Sequence, residues 1–192
     1  CSSDLFHNFF LSRALCQVCA DGQRLSRVAT AAMMLSELRF SLLCWFRLFP
    51  FAHPYVCCFE KDGASPVLLL HGYGANSGFW QRFHLRLVAA QISHSAMDLE
   101  PVLGSIDSYA HGIEKAVTHL LAESDASSLI LVCHSMGGLA ARAWLRCYGH
   151  HRVKRVITLG TPHEGSLLAG YGIGINARQM LPESAWTREE RH

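Results

Sequence analysis

Ser128-Ser-Leu-Ile-Leu-Val-Cys-His-Ser135-Met-Gly-Gly138 is the stretch of sequence that decides the fold. Its first part is an apolar run of β-forming residues, which predicts a strand. The run stops at a His-Ser-Met-Gly-Gly turn, and an alanine-rich pattern from Leu139 to Tyr148 then predicts a helix. The stretch therefore predicts a strand, a sharp turn and a helix, with Ser135 at the turn.

This layout is that of a nucleophile elbow, in which the backbone turns so tightly that small residues are needed beside the serine. Gly137 is one of them, whereas Cys133 stands where the usual pattern has glycine, two residues before the serine. A serine hydroxyl is a weak nucleophile until a base removes its proton, and the resulting oxyanion needs hydrogen-bond donors. The backbone N–H of Met136, at the predicted helix start, is one candidate donor. We interpret Ser135 as a candidate nucleophile; a turn that merely joins strand and helix is the alternative.

Composition limits the classes of function that the chain can have. Its 192 residues suffice for one globular domain, and 50% of them are hydrophobic, with a mean hydropathy of +0.16. The net charge is +2 and there is no basic run, which excludes nucleic acid as an expected partner. The twelve histidines form no ligand cluster, so we expect no metal and no cofactor. The eight cysteines are irregularly spaced, which favours reduced thiols in a cytoplasmic or inner-membrane-associated protein over a secreted one.

Residues 1–60 differ in character from the rest, and we assign them as an apolar helical segment that precedes a domain of residues 61–192. The run from Val28 to Phe49 is long enough to span a membrane, but Glu37, Arg39 and Arg47 interrupt it. Each charge near the centre of a bilayer costs about 2.5–3.5 kcal/mol. Two interpretations stay open, namely a helix associated with a membrane surface and an apolar helix packed on the protein itself.

From Ala64 onwards, strand and helix patterns alternate. The predicted elements, in chain order, are a buried strand at 66–71, a glycine-rich loop at 72–78, a helix at 79–91, a short strand between 95 and 102, a helix capped by Asp107 or Ser108, the elbow strand with its helix, and a strand at 153–159. Such alternation predicts an α/β fold with a mostly parallel sheet and flanking helices.

Three motifs occur in a fixed order: His71-Gly-Tyr-Gly74, the elbow at Ser135 and Thr161-Pro-His-Glu-Gly165. With them the chain resembles the α/β-hydrolase superfamily, and most of all its bacterial lipases and esterases, over about residues 64–180. The resemblance implies an oxyanion hole formed by the backbone N–H groups of Tyr73 and Met136. It also implies that the Thr161–Gly165 segment shapes the site.

The acid and the base of a catalytic triad are not found in this chain. The triad order in this fold is serine, then carboxylate, then histidine, but no carboxylate lies between Ser135 and His163, and no aspartate follows Asp125. His192 is the last residue of a polar tail, which is a poor support for a base. After Leu159 only 33 residues remain (160–192), and each further strand with its crossover helix needs roughly 30. We expect a partial hydrolase fold whose C-terminal part is missing.

The expected function is that of a serine hydrolase that cleaves carboxylic esters through an acyl-serine intermediate. The apolar N-terminus favours a small lipophilic ester as the substrate. The alternative is an inactive remnant that acts as a membrane-associated or partner-binding protein. The sequence does not indicate an oligomeric state.

Overall fold

A mostly parallel sheet of five strands forms the centre of the fold in the computed structural model, which describes residues 27–59 and 64–189. The strands are β1 (Tyr55–Cys57), β2 (Val67–Leu70), β3 (His94–Met97), β4 (Leu129–His134) and β5 (Val153–Leu159). They lie in the order β1-β3-β2-β4-β5, with β1 antiparallel to β3 and all other neighbours parallel. The predicted α/β fold class is confirmed.

The described residues also form helices, the first of which precedes the sheet in the chain. They are α1 (Arg27–Leu43), α2 (Gln81–Ala89), α3 (Tyr109–Glu123), α4 (Met136–Tyr148), α5 (Ile175–Gln179) and α6 (Ala185–Glu189). A π-helical turn follows α1 at Cys44–Leu48, and short 3-10 turns occupy Phe49–Phe51, Ser77–Trp80, Ile106–Ser108 and Leu167–Tyr171.

Strand β2 lies between β3 and β4, and all four of its side chains are buried. Since side chains alternate along a strand, they enter two separate cores. Val67 and Leu69 pack in the core that contains Leu87 of α2, whereas Leu68 and Leu70 belong to the core formed with α3 and α4. Helices α2 and α4 therefore cover opposite faces of the sheet.

This arrangement creates a topological switch point between β2 and β4. The chain leaves β2 through α2 toward β3, and it leaves β4 through α4 toward β5 on the other side. Open α/β sheets bind ligands at such a point, outside the carboxyl ends of the strands. The loop that begins at His71 and the turn at Ser135 both lie there.

Several predicted boundaries differ from the structure by a few residues. Strand β3 starts at His94, one residue before the predicted limit, and α4 starts directly after Ser135 rather than at Leu139. Ser108, one of the two predicted caps, stands at the N-cap position of α3, but its side chain makes no capping hydrogen bond. The Ser105 hydroxyl accepts the Asp107 N–H and caps the 3-10 turn that precedes the helix.

The chain divides into two units, Cys1–Arg47 and Leu48–His192, whereas the sequence was divided at residues 60 and 61. The second unit starts earlier because β1 pairs with β3. In the first unit, α1 bears exposed apolar side chains, including Val28, Leu35 and Leu42. None of the helices in the described ranges 27–59 and 64–189 is long and apolar enough to cross a bilayer. Predictions for residues 1–26 lie outside the described residues.

Candidate active site

Ser135 occupies the turn between β4 and α4 with φ +51° and ψ −124°. A residue other than glycine rarely adopts a positive φ, and such strain persists only where the surroundings enforce it. The Ser135 N–H donates to the carbonyl of Leu159 in β5 (2.9 Å), and the Gly138 N–H donates to the Ser135 carbonyl (3.1 Å). The turn is therefore fixed by the neighbouring strand and by the first turn of the helix.

Close approaches explain the small residues around Ser135. A Cβ atom on Gly137 would lie 2.5 Å from the His71 carbonyl oxygen and 2.6 Å from that of Leu70. A Cβ atom on Gly138 would collide with Thr161, so the Thr161–Gly165 segment packs against the elbow helix. Helix α4 can thus start against the end of β2 only because Gly137, in its first turn, has no side chain.

Cys133 is accommodated in the position where glycine is usual. Its side chain points into the core between the sheet and helices α3 and α4, and it is fully buried. Burial raises the pKa of the Cys133 thiol to about 12, so the thiol stays protonated at neutral pH. It packs as a small apolar group beside the elbow.

The loop after β2 lies directly against the nucleophile turn. A Cβ atom on Gly72 would be 2.9 Å from Ser135 Cβ and 3.0 Å from His134 Nδ1. The next residue is Tyr73, whose backbone N–H is the predicted second oxyanion donor. The structure therefore brings the loops that carry Ser135, Met136 and Tyr73 together at the switch point.

His71 lies beneath this loop and is only 3% exposed. Its Nδ1 is 2.8 Å from the Gly72 carbonyl oxygen, and its Nε2 accepts the Leu99 N–H at 2.9 Å. Burial lowers the pKa of His71, against smaller opposing effects of the Gly72 carbonyl, of Asp98 at 4.0 Å and of Glu100. The ring is therefore neutral at pH 7, and the two partners place its proton on Nδ1.

The Tyr73 side chain holds a distant segment beside the site. Its hydroxyl donates to the Ile173 carbonyl oxygen (2.8 Å) and accepts the Ile173 N–H (2.9 Å). These bonds hold the stretch between the 3-10 turn at Leu167–Tyr171 and helix α5 next to the loop that follows β2. No local sequence pattern predicts this contact, because the partners are 100 residues apart.

A second histidine beside the nucleophile was also not predicted. The His134 ring stacks on Phe79 with centroids 4.4 Å apart, and its Nδ1 is buried without a hydrogen-bond partner among the described residues. Burial and the neighbouring His71 lower the pKa of His134. The residue directly before Ser135 therefore carries an uncharged imidazole ring.

No side chain in the described ranges 27–59 and 64–189 hydrogen-bonds to the Ser135 hydroxyl. His163 is directed elsewhere, since its Nε2 is 3.4 Å from Thr158 Oγ1. His192 lies outside the described residues. Among the residues that the structure does describe, no group of three or more His, Cys, Asp or Glu side chains is arranged to hold a metal ion.

Comparison with known proteins finds relatives of similar sequence and solved structures of similar fold. The family model for the PGAP1-like alpha/beta domain matches residues 88–188, more than half of the chain. The chain is 25% identical over 139 residues to the lysosomal thioesterase PPT2-B of Xenopus laevis, which covers 67% of this chain and 46% of that protein. It spans about half of the length of this curated relative.

Two solved lipases have similar folds. The mature lipase BlEst2 of Bacillus licheniformis aligns with a TM-score of 0.64 and 20% identity over 72% of this chain and 64% of its own. Lipase B of Aspergillus fumigatus gives a TM-score of 0.61 and 20% identity over 72% of this chain and 36% of its own. Together with the family match, the fold identifies this chain as a member of the PGAP1-like alpha/beta domain family, within the α/β-hydrolase superfamily.

Proposed function

We propose that this domain is the nucleophile-bearing part of a serine hydrolase that acts on carboxylic esters. The observation that carries the proposal is the strained backbone of Ser135, with φ +51°, at the switch point of the sheet. The Gly72 loop packs against the Cβ atom of this serine. Strain of this kind is maintained where it exposes a reactive group, and the loop supplies backbone donors beside it.

In the proposed reaction, Ser135 Oγ attacks the ester carbonyl carbon, and the N–H groups of Met136 and Tyr73 donate to the developing oxyanion. The Oγ–acyl bond forms, the bond to the alkoxide breaks, and the hydroxyl proton leaves with the alkoxide as an alcohol. Water then cleaves the acyl-serine to the carboxylic acid and restores the hydroxyl. Loss of one donor from such a hole lowers the rate by roughly 10²–10³.

A lipophilic acyl group fits the surface beside the site. The segment that Tyr73 holds in place exposes large apolar side chains, among them Tyr171, Ile173 (68% exposed) and Ile175. Leu103, which is also partly exposed, accepts the Ile175 N–H through its carbonyl. The names of similar proteins point to both lipids and thioesters, so oxygen esters and thioesters are the two substrate classes to compare.

We assign no acid and no base among the described residues. His71 is unsuited to take the serine proton because both of its ring nitrogens already have partners. His163 faces Thr158. The roles assigned here are therefore those of the nucleophile and of the oxyanion donors.

Covalent labelling with a fluorescent fluorophosphonate tests the nucleophile directly. Attack by Ser135 Oγ forms an O–P bond, releases fluoride and gives up the hydroxyl proton, and mass spectrometry locates the adduct. We expect labelling of the wild type, complete loss in Ser135→Ala, and retention in the matched control Ser127→Ala, which changes an exposed serine before β4. Hydrolysis of short-chain and long-chain p-nitrophenyl esters and of acyl thioesters then defines the substrate class.

The competing proposal is a non-catalytic domain that keeps the elbow without using it. It predicts no adduct at Ser135 in protein that circular dichroism and cooperative unfolding show to be folded. Equal labelling of the wild type and Ser135→Ala would likewise contradict an enzymatic role for Ser135.

A further inference from the structure

The direction of the Tyr73 N–H is determined by the peptide unit that joins Gly72 to Tyr73. This unit is trans, so its C=O and N–H groups point in opposite directions. Any group that fixes the Gly72 carbonyl therefore also fixes the Tyr73 N–H. The Gly72 carbonyl accepts two hydrogen bonds, one from His71 Nδ1 at 2.8 Å and one from the Ala75 N–H at 3.3 Å.

The His71 bond is the shorter of the two, and it comes from a ring that cannot easily move. His71 is buried, and its other nitrogen is tied to the Leu99 N–H beyond β3. A backbone N–H can only donate, so Nε2 must be unprotonated, and this keeps the proton on Nδ1 facing Gly72. The bond between Leu99 and His71 thus selects the tautomer that holds the Gly72 carbonyl.

We propose that His71 is a positioning residue of the oxyanion hole, which aims the Tyr73 N–H by holding the carbonyl of the same peptide unit. This inference rests on the proposed function of Ser135. His71 itself makes no contact with the reacting atoms in this scheme. Its effect reaches the substrate only through the orientation of one backbone donor.

Two amide substitutions separate the two hydrogen bonds that the His71 ring makes. In His71→Asn, the amide nitrogen lies at the same bond distance from Cα as Nδ1 and can still donate to Gly72. In His71→Gln, the amide oxygen lies where Nε2 was and can still accept from Leu99, but the side chain places no donor where Nδ1 faced the Gly72 carbonyl. Both variants keep a buried polar side chain with one of the two native bonds, so similar losses of stability are expected.

The orientation of the Tyr73 N–H can be measured without any activity. Residual dipolar couplings of protein labelled with a nitrogen isotope on its five tyrosines report the direction of each N–H, and Tyr73→Phe assigns the Tyr73 signal. We expect the Tyr73 coupling to be retained in His71→Asn and changed in His71→Gln, with the other four tyrosines unchanged. An unchanged Tyr73 coupling in His71→Gln would overturn the proposal, because the Ala75 N–H alone would then hold the carbonyl.

Labelling kinetics connect this orientation to chemistry. We expect the rate of reaction of Ser135 with fluorophosphonate to fall at least tenfold in His71→Gln, up to the roughly 10²–10³ cost of losing a donor, and to stay within a few-fold of wild type in His71→Asn. Equal rates in the two variants would also overturn the proposal. If the wild type is not labelled, the proposed function fails, while the dipolar couplings still decide the role of His71.

A measurement on the wild type covers the case in which both variants fail to fold. The nitrogen chemical shifts of the His71 ring distinguish a protonated Nδ1 from a protonated Nε2. We expect the proton on Nδ1 at pH 7. A proton on Nε2 would remove the donor to Gly72 and contradict the proposed role.

Discussion

Gly72 and Gly74 lie in the same loop, and glycine is favoured at the two positions for different physical reasons. Gly72 is crowded, since an added Cβ would meet Ser135 Cβ at 2.9 Å and His134 Nδ1 at 3.0 Å. Gly74 has nothing within 4 Å of such a Cβ, but its φ of +66° is one that side chains disfavour. We predict that Gly72→Ala pushes the loop away from the elbow and lowers the rate of Ser135 labelling at least tenfold.

Gly74→Asn is the matched control, because asparagine tolerates positive φ and the position has open space. It should change the labelling rate by less than threefold and stability by less than about 1 kcal/mol. Labelling kinetics and urea unfolding of the two variants provide the comparison. If Gly72→Ala were labelled as fast as Gly74→Asn, the loop would be less closely coupled to the nucleophile than its packing indicates.

For single residues, the sequence predicted the positions that belong to a motif. It did not predict the hydrogen bonds and contacts that form only when distant parts of the chain come together. Ser135 and Met136 were predicted from a local pattern of strand, turn and glycine residues, and Tyr73 from the resemblance of the His71-Gly-Tyr-Gly74 motif to the α/β-hydrolase superfamily. His71 was recognised as part of a motif. Its hydrogen bond with Leu99 was not predicted, because the two residues are 28 positions apart and no local pattern connects them. Their catalytic roles stay predictions until Ser135 is labelled.

Asp107 illustrates the same limit. Its place before a helical pattern suggested a cap, and a carboxylate is a common capping residue. In the structure its carboxylate accepts from Trp186 Nε1 at 3.0 Å and 3.1 Å and pairs with Arg146 of α4. Partners that come from elsewhere in the chain override the local preference.

Helices α3 and α4 each contain a glycine whose replacement should have the opposite effect on stability. In α4, a Cβ on Gly137 would meet backbone atoms of β2 and of the following loop at 2.5–2.6 Å. In α3, a Cβ on Gly112 would only touch Met97 Cε at 3.5 Å, an ordinary contact. We predict that Gly137→Ala destabilises by about 1–3 kcal/mol or more through overpacking, and that Gly112→Ala stabilises by about 0.5–1 kcal/mol.

The free energy of unfolding in urea, followed by circular dichroism, tests both substitutions with the same chemical change. Labelling of Ser135 should fall in Gly137→Ala and be unaffected by Gly112→Ala, which lies outside the site. Stabilisation by both substitutions would mean that the elbow helix can move away from β2 without penalty.

Elements were predictable where apolar patterns were long and uninterrupted. The runs of β2, β4 and β5 identified three strands of the sheet, and the period of α3 was recognised from Ile113, Val117 and Leu120. Strand β1 was missed because it has three residues, its middle one exposed, and it follows an apolar helical stretch. A strand that short takes its structure from pairing with β3 rather than from its own pattern.

The molecule as a whole should lose stability in acid in two stages. His71, His94 and His134 are held neutral, because burial lowers the pKa of each ring below its ordinary value of 6.5. Below their ordinary pKa these rings bind more protons in the unfolded chain than in the folded one. The free energy of unfolding therefore keeps its full contribution from the neutral rings above about pH 6.5 and decreases as the pH falls from there. The slope is at most about 1.4 kcal/mol per pH unit for each proton taken up.

The second loss of stability, at lower pH, comes from protonation of Glu114. Burial raises the pKa of this carboxyl, but hydrogen bonds from Arg152 and Trp144 outweigh it and leave the pKa below its ordinary value of 4.5. Its contribution is therefore present above about pH 4.5 and is lost below that pH. Urea unfolding between about pH 2.5 and pH 8 should show both declines, and Glu114→Gln should remove only the lower one. A free energy of unfolding that is constant from pH 7.5 to 5 would contradict the role of the buried histidines.

Strand β5 is the last strand of the sheet, and among the described residues its outer edge pairs with no other strand. Apolar side chains on it are exposed, with Val156 and Ile157 at 39% and Leu159 at 45%. An unpaired edge with apolar side chains is a template for pairing with another chain. We predict that the purified chain self-associates at micromolar concentrations through β5.

Ile157→Lys tests this prediction, because a lysine on an edge strand opposes edge-to-edge pairing through charge and hydration. The matched control is Leu85→Lys on α2, where the side chain is 59% exposed and lies away from the sheet edge. Light scattering coupled to size-exclusion chromatography should show association of the wild type and of Leu85→Lys, and a clear shift toward monomer in Ile157→Lys. A monomeric wild type would contradict the prediction, whereas an equal shift in both variants would mean that general surface hydrophobicity, rather than the β5 edge, drives association.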